Sequence, residues 1–270
     1  MEEDVFSRRG ARGGEHNVIV SLLLCVFIAS TAVCAIYHNR PPAPPVSPPA
    51  VAHPRQEEKN IIVLGDSTAS LNDGDKHPPE HTPVPCTQER GTWPDRLYGA
   101  HIINLSCPGD TIGDTITTVT RTTTITPQST VLISIGSNDA RRGYPLTTIM
   151  ERLSTLVDIL PTKNIIFVHY LPITVPPACT HVTREAKNVS TYHTVANIAM
   201  EQVAKKHHLP LITMQDAHVT LCGENSELIR NPTLVHNPHA APWHTTPVGH
   251  EKIATIIDNQ LDMMGVPMLH

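Results

Sequence analysis

Four short polar segments lie in a fixed order along the chain and carry residue types that could perform acyl transfer. They supply a serine, a histidine, an asparagine side chain and several glycine amides, within Gly65–Ser67, Gly109–Thr111, Gly136–Asp139 and His244–Gly249. A serine hydroxyl activated by a histidine can attack an ester carbonyl, and N–H groups can stabilise the oxyanion that forms. The four segments together therefore indicate a serine-type acyl-transfer site.

Each of these residues also has an ordinary structural interpretation when it is taken alone. Ser67 could be a helix N-cap, Gly109 a turn glycine with positive φ, and Asn138 a side chain that caps a loop. Asp66 and Asp139 are expected to hold their loops in place rather than to take part in chemistry. The presence of all the segments in order favours the catalytic interpretation over the separate structural ones.

Two kinds of hydrophobic pattern alternate between and around these segments. Short apolar runs rich in β-branched residues predict buried strands at Asn60–Leu64, His101–Leu105, Thr130–Ile135, Asn164–Tyr170 and Leu209–Met214. Apolar residues at helical spacing predict helices at Leu146–Leu160, Thr191–His207 and Pro247–Met264. This alternation predicts an α/β fold with a parallel sheet, whose functional residues gather at the carboxyl ends of the strands.

The four segments resemble those of the SGNH (GDSL-type) hydrolase family, over roughly residues 59 to 262. The resemblance implies a three-layer, flavodoxin-like fold with a five-stranded parallel sheet, and an esterase, lipase or acylhydrolase activity that needs no cofactor. It implies that Ser67 is the nucleophile and His244 the general base, a role that suits an imidazole with a pKa near neutral. The oxyanion hole would consist of the backbone amides of Ser67 and Gly109 and the side chain of Asn138.

The chain departs from the family pattern where an aspartate normally orients the catalytic histidine. Ala241 stands at that position, three residues before His244. Three interpretations stay open: a Ser–His pair held by a backbone carbonyl or water, a replacement such as His239 or Asp216, or a site that has lost activity. We expect an active site, because the nucleophile, the oxyanion donors and the base are all intact.

The first 58 residues predict a membrane anchor and a spacer ahead of the domain. We divide the chain into a short cytoplasmic tail (1–17), a transmembrane signal-anchor of 20 uncharged residues (18–37), a proline-rich linker (38–58) and the hydrolase domain (59–270). Three arginines precede the anchor and two follow it before the domain, which favours a cytoplasmic N-terminus. The expected protein is single-pass and type II, with a lumenal or extracellular domain; the alternative is a cleaved signal peptide and a secreted protein.

The four cysteines of the domain fit an oxidising compartment. Four cysteines allow three pairings, and we expect Cys179–Cys222 with Cys86–Cys107 as the remainder; free, partly buried thiols are the alternative. Asn188 begins an Asn-Val-Ser sequence in a polar stretch and is the predicted glycosylation acceptor.

Composition excludes some function classes. The formal net charge is -5 and charged residues make up 17% of the chain, which argues against a nucleic-acid binder. His236, His239 and His244 are clustered, but no Cys or carboxylate accompanies them at ligand spacing, so no metal site is expected.

The expected function is a membrane-anchored serine esterase that removes a small acyl group, with an O-acetyl group on a glycan as one candidate. A catalytically silent glycan- or protein-binding module and an O-acyltransferase are the alternatives.

Overall fold

The computed structural model describes residues 60–70, 90–98, 101–179, 184–229 and 244–266. Strands and helices alternate along them, joined in places by short 3₁₀ helices. In chain order the elements are β1 (Asn60–Gly65), α1 (Ser67–Ser70), β2 (His101–Asn104), α2 (Ile112–Arg121), β3 (Thr130–Ser134), α3 (Ser137–Arg141), α4 (Leu146–Ile159), β4 (Ile165–Val168), β5 (Ile173–Thr174), α5 (Arg184–His207), β6 (Leu211–Ile212), β7 (Val219–Thr220) and α6 (Pro247–Met263).

Five strands of the described chain form one parallel sheet in the order β2-β1-β3-β4-β6. Strand β1 pairs with β2 on one side and β3 on the other, so that Ile61 lies opposite Ile102 and Thr130. The predicted α/β fold with a five-stranded parallel sheet is thus confirmed. Because β1, β3 and β4 are neighbours, the loops that follow them meet at one edge of the sheet, where ligands bind in such folds.

The two faces of the sheet pack into two separate cores, as the alternation of side chains along a strand requires. Ile61 and Val63 of β1 belong to a cluster that includes Ile257 of α6. Ile62 and Leu64 belong to a second cluster with residues of α2, α4 and α5. Burial of each such side chain stabilises the fold by about 1.5–3 kcal/mol. The sheet is therefore fixed between two helical layers, and so are the strand ends that carry the site.

The structure differs from the sequence prediction in the extent of several elements. Helix α5 begins at Arg184 rather than at Thr191, and within this added part Lys187 is exposed while Val189 is buried at 3% exposure. Strand β6 is shorter than the predicted Leu209–Met214. A second, two-stranded parallel sheet of β5 and β7 was not predicted.

A disulfide closes the end of this smaller sheet. Cys179 follows β5 and Cys222 follows β7, and the two Cα atoms are 6.0 Å apart across a sequence separation of 43. The predicted Cys179–Cys222 pair is confirmed. Cys86 lies outside the described residues, so its pairing with Cys107 stays a prediction.

Over the described ranges, none of the helices is both long and apolar enough to cross a membrane. The predicted tail, anchor and linker, residues 1–58, all lie outside those ranges. The division of the chain into these parts stays a prediction.

Candidate active site

Ser67 lies at the carboxyl end of β1, where the chain turns into the four-residue helix α1. It is half-buried, and the preceding Asp66 is fully buried. One carboxylate oxygen of Asp66 accepts hydrogen bonds from the backbone N–H and the hydroxyl of Thr68, at 3.0 and 2.9 Å. The other oxygen accepts from the hydroxyls of Ser137 and Tyr170, each at 2.7 Å. These bonds fix the turn that presents Ser67.

The other two predicted oxyanion donors lie on segments that are hydrogen-bonded to each other, the loop after β2 and the short helix α3. Gly109 has a φ of +81°, a left-handed conformation that favours glycine. Asn138 is 8% exposed and donates from Nδ2 to the backbone carbonyl of Asp110 at 3.0 Å. An amide group carries two N–H donors, so the second can bind a substrate oxygen. The structure thus brings the Asn138 side chain beside the carbonyl of Asp110, the residue that follows Gly109.

Asp139 links the short helix α3, which follows β3, to helices α2 and α4. Its carboxylate is fully buried and accepts from the backbone N–H of Ile112 at 2.9 Å, at the start of α2. Its other oxygen accepts from Arg152 of α4 at 3.0 Å. Burial raises the pKa of Asp139, while the Ile112 amide and the Arg152 guanidinium oppose that rise. These are the contacts of a side chain that holds its loop.

His244 lies just before α6 and is buried, with 2% exposure. The next residue, Thr245, forms an antiparallel bridge with Ile229. Thr246 is the N-cap of α6, and its hydroxyl accepts from the backbone N–H of Gly249 at 3.1 Å. The bridge and the helix cap, which both come directly after His244, therefore fix the segment that carries it.

Residues adjoining Ser67 and His244 line one small cavity. Thr68 and Thr245 are both buried and form part of its wall, together with Trp93. The cavity volume is about 20 Å³, room for about one water molecule. Two segments that are far apart in sequence are therefore neighbours at the carboxyl edge of the sheet. Trp93 is 2% exposed and packs as a core residue there.

Asp110, next to Gly109 of the predicted oxyanion hole, has a carboxyl group with a raised pKa. Burial, together with the nearby carboxylates of Asp114 and Asp66, raises its pKa from 3.8 to about 7. The guanidinium of Arg142 opposes this rise. The Asp110 carboxyl therefore changes its charge near neutral pH, directly beside Gly109. The sequence alone carried no signal for this behaviour, because it depends on burial.

The remaining predicted residues are the alternative orienting groups of His244 and the glycosylation acceptor. Ala241 and His239 lie outside the described residues, and a role of His239 in orienting His244 stays a prediction. Asp216 is exposed, in the 3₁₀ helix Gln215–Ala217. Asn188 is half-buried on α5 rather than in a loop, and its glycosylation stays a prediction. Within the described parts of the chain, no group of His, Cys, Asp and Glu side chains could hold a metal ion.

A comparison with protein families supports the resemblance found in the sequence. The model of the GDSL-like lipase/acylhydrolase family matches residues 63–252, most of the chain. The matched region contains all four segments that resemble this family. A search of curated protein sequences found no match.

Solved structures share the fold at low sequence identity. A lipase/acylhydrolase from Enterococcus faecalis is 19% identical with a TM-score of 0.52, over 76% of this chain and 96% of its own. Phospholipase A1 from Streptomyces albidoflavus NA297 is 14% identical with a TM-score of 0.56, over 75% of this chain and 99% of its own. The psychrotrophic esterase EstA from Pseudoalteromonas sp. is 16% identical with a TM-score of 0.51, over 78% of this chain and 100% of its own. At these identities the likeness establishes the fold.

Proposed function

The chain belongs to the GDSL-like lipase/acylhydrolase family, and on this premise we propose that it is a serine ester hydrolase. The Ser67 hydroxyl attacks the ester carbonyl while His244 takes its proton and then gives it to the leaving alcohol. Water then attacks the acyl-enzyme, with His244 again as the base. The oxyanion of each tetrahedral intermediate accepts from the amides of Ser67 and Gly109 and from Asn138.

One observation carries this proposal. The loops that bear the nucleophile and the amide donor are joined directly, because Ser137 donates to Asp66 at 2.7 Å. Asn138, next to Ser137, donates to the carbonyl of Asp110 at 3.0 Å. Acyl transfer needs a nucleophile and oxyanion donors around one point, and these bonds hold three such loops together at one edge of the sheet.

We infer that the histidine works without an aspartate at residue 241. A Ser–His pair retains catalysis when the third residue of a triad is absent, although at a lower rate. The immobilisation of the His244 segment by the Ile229–Thr245 bridge supports this inference, since it restricts the imidazole through its backbone. His239 and Asp216 stay as alternative orienting groups.

The proposed substrate is a small acyl ester, with an O-acetyl group on a glycan as the favoured case. The support is the predicted topology, since a domain held outside the membrane by an anchor and a proline-rich spacer would meet glycans.

A catalytically silent binding module is the second candidate, and the alanine at position 241 favours it. An O-acyltransferase would use the same acyl-enzyme with a sugar hydroxyl in place of water.

Hydrolysis of a panel of p-nitrophenyl esters by the purified full chain tests the enzyme proposal. We expect turnover of acetyl and butyryl esters, and loss of most of it in Ser67→Ala and in His244→Ala. Ser226→Ala is the matched control, because Ser226 is a half-buried serine in a 3₁₀ helix distant in sequence from the nucleophile. Full activity in Ser67→Ala would refute the assignment. No hydrolysis of any ester by a folded wild-type chain would favour the binding module.

A further inference from the structure

A single buried carboxylate joins the carboxyl ends of three neighbouring strands. Asp66 follows β1, Ser137 follows β3 and Tyr170 follows β4, and these strands are adjacent in the sheet. The hydroxyls of Ser137 and Tyr170 both donate to the same oxygen of Asp66, at 2.7 Å each. Asp66 is 0% exposed, so these donors replace water around its charge.

The tyrosine is the member of this network that belongs to neither predicted catalytic loop. Its hydroxyl also accepts from the backbone N–H of Ser137 at 3.4 Å, so it touches both sides of the junction between the loops. Asp66 immediately precedes Ser67, and Ser137 immediately precedes Asn138. The position of one phenol oxygen therefore sets the spacing between the nucleophile's loop and the amide donor's loop.

The Tyr170 ring is held rigidly by groups from α5. It stacks on the imidazole of His193, with ring centroids 4.6 Å apart and an interplanar angle of 19°. Its backbone N–H donates to Asn197 Oδ1 at 2.9 Å, and Asn197 Nδ2 donates to its carbonyl at 3.1 Å. Tyr170 is 3% exposed. Helix α5 thus holds one face of the Tyr170 ring through His193 and the Tyr170 backbone through Asn197.

The Tyr170 hydroxyl stays protonated, and so stays a hydrogen-bond donor, at every pH at which an esterase would be assayed. Burial raises the pKa of Tyr170 well above its ordinary value of 10.0, and the neighbouring charge of Asp66 raises it further. Its proton therefore stays on the oxygen and in the bond to Asp66.

We propose that Tyr170 is a positioning residue of the esterase, which holds Ser67 and Asn138 at the separation that acyl transfer needs by binding Asp66 and the Ser137 amide. This rests on the proposed hydrolase function. Tyr170 does not touch the substrate; it acts through Asp66 and Ser137. Misplacement of reacting groups by about 1 Å can cost about 10²-fold in rate, so a small relaxation of this junction has a large effect.

Replacement of Tyr170 by phenylalanine in the full chain tests the proposal, because it removes one oxygen and leaves the stacked ring. We expect kcat for p-nitrophenyl acetate to fall by about 10-fold to 10²-fold with little change in KM. Tyr192→Phe is the control, since Tyr192 is a half-buried tyrosine on α5 outside the network, and its kcat should match the wild type. A wild-type kcat in a folded Tyr170→Phe variant would overturn the proposal.

A double-mutant cycle separates positioning from a general loss of stability. If Tyr170 acts by placing Asn138, then Tyr170→Phe should cost clearly less in the Asn138→Ala background than in the wild type. Full additivity of the two losses would contradict the proposal. If Tyr170→Phe does not fold, Ser137→Ala removes the other donor to the same oxygen and must show the same loss of kcat; an unchanged kcat there overturns the proposal.

The ester assay distinguishes failure of the proposed hydrolase function from failure of the positioning role of Tyr170. A wild-type chain that hydrolyses no ester means that the proposed function fails, and the positioning role fails with it. An active wild type with an unaffected Tyr170→Phe variant means that only the positioning role fails.

Discussion

Asn138 donates one amide N–H to the carbonyl of Asp110 at 3.0 Å and, in the proposed mechanism, the other to the oxyanion. Asn138→Ala removes a donor that matters mainly in the transition state. We expect kcat to fall by about 10²–10³-fold, or about 2.7–4 kcal/mol, with KM little changed. Steady-state kinetics check this, with Asn164→Ala, an exposed asparagine before β4, as the control. An equal, small effect of both substitutions would exclude Asn138 from the oxyanion hole.

Asp110 gives the free energy of unfolding a predictable pH dependence. Its pKa rises from 3.8 to about 7 on folding, so the folded state favours the protonated carboxyl. The stability that it contributes is complete below about pH 4 and is lost as the pH rises through about 7. Asp110→Asn should therefore gain stability relative to the wild type as the pH increases over this range.

Thermal denaturation of the two proteins from pH 4 to pH 8 measures this gain. Asp262→Asn, an exposed aspartate near the end of α6, controls for the loss of a negative charge at the surface. A difference in Tm between Asp110→Asn and wild type that stays constant with pH would contradict the raised pKa.

At the residue level, the sequence predicted the candidate site residues that stand in recognisable motifs. It did not predict those that join the site only through contacts in the folded protein. Ser67, Asn138 and His244 stand in motifs that are visible in the chain. Tyr170 lies in an apolar run that predicted only a strand, and its part in the site arises because β4 is next to β3. The Asp110 carboxyl was part of a motif, but its pKa depends on burial, which no local pattern reports.

At the level of elements, the first turn of α6 is packed tightly against the end of the 3₁₀ helix Ser226–Leu228. A Cβ added to Gly249 would lie 2.0 Å from the carbonyl oxygen of Leu228, so an alanine there must displace backbone. We expect Gly249→Ala to destabilise the protein by about 1–3 kcal/mol or more. Because His244 lies three residues before this helix, kcat should fall as well.

The matched control is a glycine with room for a methyl group. A Cβ on Gly113, near the start of α2, would meet Thr111 Oγ1 at 3.6 Å, an ordinary contact. Gly113→Ala should therefore be neutral or stabilise by up to about 1 kcal/mol, since alanine favours the helix. Denaturation curves of the two variants compare them, and equal stability would show that the Gly249 contact can relax freely.

The elements that the sequence predicted are those with a strong hydrophobic pattern. Strands β1 and β3 contain continuous buried apolar runs, and the helix Leu146–Ile159 has buried apolar residues at helical spacing. Helix α2 was not predicted, because threonine fills many of its positions and has a low helix propensity. Strands β5 and β7 have two residues each, too few to show a period.

For the molecule as a whole, the N-terminal segment predicts a protein that stays in the membrane. The segment 18–37 contains 20 residues and no charged side chain, which is long enough to span a bilayer as a helix. We expect the expressed chain to remain in the membrane fraction after an alkaline wash and to keep its N-terminus. N-terminal sequencing that found a start near residue 36 would instead show a cleaved signal peptide and a secreted enzyme.

The central claim is that Ser67 is an activated nucleophile in a working ester hydrolase. Labelling of the full chain with a fluorophosphonate probe, followed by peptide mapping, tests it most directly, because the probe bonds covalently to activated serines and needs no knowledge of the substrate. We predict one adduct, on the peptide that contains Ser67, which is absent in Ser67→Ala and strongly slowed in His244→Ala. A folded wild-type chain that takes no label, or that takes it on another serine, would contradict the account.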